Sequence, residues 1–129
     1  MTVKIPSTLK NHQIVKRNSS THRAWALEAA KQAKRVLPFF EQERSDDMRP
    51  RLAIEAIRSW AQGKRELGLV QVRKLSLDSH AAARASKTDA AKFAARAAGQ
   101  AVATWHVPIH ATAVPKYVQK AVFAHKDEV

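Results

Sequence analysis

From residue 20 onward the apolar positions of this chain recur at intervals of three and four, the spacing of one helix face. Trp25, Ala29, Ala33, Val36 and Phe40 form a first stripe, with Arg23, Lys31, Lys34 and Arg35 on other faces. Asn18-Ser19-Ser20-Thr21 precedes it, a run rich in side-chain oxygens that cap helix N-termini. Pro38 predicts an end or kink near Leu37, with Phe39 and Phe40 in a short turn that closes the core. Ser45-Asp46-Asp47-Met48-Arg49-Pro50 then opens a second helix, in which Ala53, Ala56, Ile57, Trp60 and Ala61 are the buried stripe and Ile54 its flank. Gly63 reads as its C-cap. Asp46 and Asp47 read as caps, because a metal site needs more oxygen ligands than this loop offers.

The segment 65–77 is ambiguous: Leu67, Leu69, Val72, Leu75 and Leu77 partly alternate, as in a strand. A lone strand without a partner is unstable, so a helix from about Leu69 to Ser86 is expected. Its polar stripe carries Arg73, Leu77, His80, Arg84 and Lys87. Lys87-Thr88-Asp89 supplies the next cap, and Ala90 to Trp105 the next helix. Between His80 and Trp105, Ala fills twelve of twenty-six positions, which favours helix and lets a neighbour's backbone come close. Phe93, Ala94, Ala97, Ala101 and Trp105 are expected inside, Lys92, Arg96 and Gln100 on another face, and Gly99 at a close helix crossing. The last helix is expected from about Pro108 to Ala124, kinked at Pro115, with 125–129 a frayed tail. Residues 1–18 lack a sustained period and read as an extended arm packing through Ile5, Leu9, Ile14 and Val15. The expectation is an all-α, single-domain bundle of about five helices: an irregular basic N-terminal arm over 1–20 and the bundle over 21–129.

Composition narrows the function classes. With no Cys among 129 residues, disulfides, thiolate nucleophiles and Cys-ligated zinc are excluded. No apolar run approaches the roughly 18 residues a membrane span needs, and the basic N-terminus lacks the apolar core of a signal peptide, so the cytoplasm is expected. The net charge is +12. Residues 1–35 hold eight Lys/Arg and one acid, Glu28, while the rest holds fifteen against ten. Such an asymmetry suits contact with nucleic acid or an acidic protein, and equally a solvated face with a basic tail.

Candidate chemistry gathers where large polar residues interrupt the Ala background. His106 and His110 have the four-residue spacing of two imidazoles sharing a metal, but the acid of a zincin motif is absent and Pro108 disturbs the register. General acid–base or nucleophilic catalysis needs a carboxylate or nucleophile near a His, and residues 79–126 hold only Asp89, itself a cap. No metal and no cofactor is expected. The favoured reading is that His80, Gln100 and His106 hydrogen-bond between helices and set their register. The competing one is a cluster that binds a ligand or partner. No phosphate-binding glycine loop and no helix-turn-helix spacing is present, and Trp25, Trp60 and Trp105 sit on apolar faces, poor platforms for stacking bases.

DDMRPRLAIEAIRSWAQGK, HAAARA, AARAAGQAVATWHVPIHA and YVQKAV, in that order, resemble immunity proteins of the immunity-five-like group, linked to bacterial polymorphic toxin systems. The resemblance covers roughly residues 22–124. It departs from the group at Pro115 and in the Leu/Val run 67–77. It implies an all-helical, non-enzymatic protein with recurrent polar positions at Arg49, Arg51, His80, Arg96, Gln100, His106 and His110. The leading expectation is therefore a binding protein that neutralises a cognate toxin by occlusion. Arg49, Arg51, Arg73, Arg84 and Arg96 are candidate anchors for an acidic toxin surface. Two rivals remain: a nucleic-acid-associated protein using the basic N-terminal end, and a small-molecule site or enzyme around His80 and His106.

Overall fold

The computed structural model describes residues 15–129. Among them are five α-helices and no strand: α1 (Ser20–Glu43), α2 (Arg49–Ala61), α3 (Leu69–Ala85), α4 (Asp89–Ala103) and α5 (Ala113–Glu128), with a 3-10 turn at Pro108–Thr112 before α5. The chain is an all-α single domain. Most of the expected arm, residues 1–14, lies outside the described residues; of the remainder, Val15 packs on the core. Segment 65–77 resolves as a loop followed by helix.

α4 occupies the centre, in contact with each of the other four helices and the 3-10 turn. Ala90, Ala91, Ala94, Ala95, Ala97, Ala98, Gly99, Ala101 and Val102 are all buried, so the helix is enclosed on several sides. That is more than the single inner face expected from Phe93, Ala94, Ala97, Ala101 and Trp105. Phe93 is only half-buried, and Trp105 falls beyond the helix, which ends at Ala103. Large side chains for this core come from the surrounding helices: Trp25, Val36, Leu37 and Phe40 of α1, Ile54, Ile57 and Trp60 of α2. A bulky centre would have pushed these apart; alanine lets them meet around it.

Polar groups at the N-terminal end of α4 fix its place. Thr88 Oγ1 accepts from Ala91 N, while Glu43, from the end of α1, accepts from Lys87 N, Thr88 N and Thr88 Oγ1 at 2.8–2.9 Å. Glu128 reaches back from α5 to accept from Ala90 N. Negative side chains thus sit where the helix leaves donors free and its dipole is positive.

Several expectations from proline are corrected. α1 runs through Pro38 to Glu43 without the expected turn at Phe39-Phe40. Pro38 is exposed, and continuing the helix through it buries Phe40 completely. Pro115 does not kink α5; it lies in its first turn, where backbone N–H groups lack intrahelical partners anyway. The last α-helix starts at Ala113 rather than Pro108. Residues 125–128 are not frayed: His125 stacks on Phe39 at 4.1 Å and Glu128 caps α4. At α2 the N-cap is Met48, without a side-chain cap bond, which corrects the expectation for Asp46 and Asp47; Asp47, one residue earlier, accepts from Arg49 N. Gly63 ends the helix at φ 75°, with Lys64 N donating to Ser59 O.

If small residues at the centre set the helix spacing, Ala94→Leu should lower stability by about 1–3 kcal/mol. The exposed Ala85→Leu should stay within about 0.5 kcal/mol of the parent. Denaturant unfolding of both variants checks this.

Candidate functional site

α3 is held to α4 by two serine hydroxyls. Ser76 Oγ donates to Gly99 O at 3.0 Å and Ser79 Oγ to Ala95 O at 2.8 Å. These bonds connect the two helices; of the residues expected to form a polar seam, Gln100 bonds to His110 of the 3-10 turn, whereas the Nδ1 atoms of His80 and His106 have no partner among the described residues. At the crossing the His80 ring lies against Gly99, where a Cβ would stand 2.7 Å from its Nε2. Only the absence of a side chain at 99 admits the imidazole there.

Beyond Ala103 the chain turns through His106 and Pro108 into the 3-10 turn, and a cavity of about 340 Å³ opens beside α3. Val72, Arg73, Ser76, Leu77 and His80 line it from α3, Gln100 and Ala103 from α4, His106 and His110 from the connection. Five of the nine candidate residues therefore converge: Arg73, His80, Gln100, His106 and His110. Arg84 lies one turn after His80 on α3 and Arg96 one turn before Gln100 on α4. Both bear on His80 electrostatically. Arg49 and Arg51 lie elsewhere, in two-pronged ion pairs with Asp47 (2.7 and 2.9 Å) and Glu41 (2.7 and 2.8 Å). Those pairs hold each carboxylate below its ordinary range.

Electrostatically the cavity is one-sided. No Asp or Glu lines it, and among the described residues Arg73, Arg84 and Arg96 form no ion pair. Burial, then the positive charge of Arg96 and Arg84 and the neighbouring His110, pushes the His80 pKa down to about 4. Burial, then His106, lowers that of His110. His110 Nδ1–H donates to Gln100 Oε1 at 2.9 Å. The Nδ1 atoms of His80 and His106 are buried and have no partner among the described residues. No group of three or more His, Cys, Asp or Glu among those residues is placed to hold a metal ion. The arrangement offers hydrogen bonds and positive potential to a guest.

Sequence reasoning missed His22. It is fully buried, donates from Nε2 to Thr104 O at 2.6 Å and accepts at Nδ1 from Asn18 N at 2.9 Å, which fixes a neutral tautomer. It ties the start of α1 to the end of α4. Arg17 lies over the Trp105 ring at 5.1 Å, beside the same junction. The only available signal was a histidine three residues after the Ser19 cap, at a helical spacing from Trp25.

The profile of the Imm-5 like putative immunity protein family matches residues 15–129. The chain belongs to that family. No curated protein and no solved structure matches it. Family membership supports a binding role for the chain and leaves open which face performs it. Among the described residues no helix is long and apolar enough to cross a membrane.

Two outcomes follow from this geometry. In Gly99→Ala, the new methyl should drive the His80 ring toward the cavity, while a helix-propensity gain of about 1 kcal/mol offsets much of the displacement. The melting temperature should change little, and the His80 imidazole, followed by NMR, should titrate closer to 6.5. The second concerns pH. His22, His80 and His110 all have folded-state pKa values below 6.5, so unfolding takes up protons below that pH. Stability should be full above about pH 6.5 and fall progressively toward pH 4, as thermal melts across that window would show.

Proposed function

We propose that this chain neutralises a cognate toxin of a bacterial polymorphic toxin system by covering it, without a reaction of its own, in the cytoplasm. The contact surface is the face of α3 that leads into the cavity. Val70 and Leu77 stand two turns apart on α3, 83% and 66% exposed, with Arg73 between them, and the exposed Ile109 adjoins His110. Exposed aliphatic side chains beside unpaired arginines carry the reading, since Arg and desolvated apolar groups anchor protein interfaces. Family membership supports the same role. The excess positive charge selects a toxin with an acidic surface. Arg49 and Arg51, engaged with Asp47 and Glu41, lie away from this surface.

A cognate toxin should co-purify with this chain. Arg73→Glu and Leu77→Asp should each weaken binding at least tenfold, about 1.4 kcal/mol, and raising the salt should weaken it further. Binding indifferent to salt and to both substitutions would overturn the reading. Salt-dependent binding to nucleic acid, lost on removing residues 1–18, would replace it with the nucleic-acid reading.

A further inference from the structure

Docking at the rim leaves the interior of the three-histidine cavity unexplained. Two imidazole nitrogens, Nδ1 of His80 and Nδ1 of His106, are buried with no partner among the described residues. Leaving a buried polar group unsatisfied is costly, and native proteins retain few of them. Arg73 lines the same space, with no carboxylate beside it to neutralise its charge. Opposite these polar groups Val72, Leu77 and Ala103 supply an apolar wall. At about 340 Å³ the cavity falls within the size range of small-ligand sites and is roomier than a lone carboxylate requires.

We propose that this cavity binds one carboxylate, or an isosteric oxyanion, carried on an apolar stem. The anionic head meets His80, His106 and Arg73; the stem lies along Val72, Leu77 and Ala103. Gln100 keeps the His110 ring in place beside them. The same chemistry is offered by a free organic acid and by a Glu or Asp side chain protruding from a partner. The inference goes beyond the toxin-binding role, because it is a property of the isolated chain.

Binding is coupled to protons. The charged and titratable groups around His80 are Arg73 and Arg84 on α3, Arg96 from α4, and His106 and His110 from the connection that follows. Arg96, Arg84 and His110 disfavour a protonated His80, and an anion in the cavity reverses that balance. Affinity therefore rises as pH falls.

The test follows the histidine ring signals of the full chain by NMR during titration with acetate, butyrate and benzoate at pH 7.5 and 5.5, at constant ionic strength. Butyrate and benzoate are expected to saturate a single site, shifting the His80 and His106 signals. They should bind more tightly than acetate, and at least about fivefold more tightly at the lower pH. Arg73→Gln, an exposed position whose substitution leaves the core intact, is expected to weaken butyrate about tenfold, as is His106→Asn. Non-saturating shifts, shifts unchanged in Arg73→Gln, affinity indifferent to stem length, or uptake of zinc at these histidines with no response to butyrate would overturn the proposal. The source is read separately. An acid released on denaturing chain purified from its native cell identifies a free ligand, whereas an empty cavity with butyrate competing against the toxin identifies a partner side chain. Toxin binding alongside a cavity that ignores every acid would sink this inference and leave the docking surface standing.

Discussion

Everything in this fold depends on α4 having almost no side chain. Four helices pack around it, and at Ala94, Ala97, Ala98 and Ala101 a methyl group is all that separates its backbone from theirs. Close approach brings backbone carbonyls within reach of short hydroxyls, which is why Ser76 and Ser79 can bond to Gly99 and Ala95. It also brings the N-terminal end of α4 within reach of acids from distant parts of the chain, Glu43 and Glu128. Alanine supplies the helix propensity that keeps so bare an element helical.

The same constraint produces the cavity. His80 enters the crossing only because position 99 carries no Cβ, and once there its ring is desolvated and surrounded by positive charge. α4 then stops at Ala103, and the chain turns away through His106 and the 3-10 turn. Packing that is tight around Ala94–Val102 cannot continue past that turn. A space lined by imidazoles, one arginine and a few aliphatic groups is left where the central helix ends, next to the exposed apolar face of α3.

Much of this was legible in the sequence and some was not, for identifiable reasons. The helices announce themselves through apolar spacing and through Ser19, Thr88 and Gly63 at their ends. Gly99 was readable as a close crossing because glycine in mid-helix demands a reason. The prolines misled, since whether Pro38 breaks a helix depends on the burial of Phe40 and whether Pro115 kinks one depends on where the helix begins. Neither is a local property. His80, Gln100, His106 and His110 stand out against alanine and converge, joined by Arg73 from the Leu/Val run. Gln100 bonds across to His110, but the bonds between α3 and α4 come from the less conspicuous Ser76 and Ser79. His22 escaped notice because its partners, Asn18 N and Thr104 O, are backbone atoms brought together by the fold.

If the face around the end of α4 is where this family member meets its partner, hydrogen exchange of the chain, free and in complex with a toxin it binds, reads this directly without perturbing any residue. New protection is expected over residues 70–80 and 100–112, with the outer surfaces of α1 and α2 unchanged. Protection confined to α1 and α2, leaving the cavity and the exposed side of α3 as they are in the free chain, would contradict it.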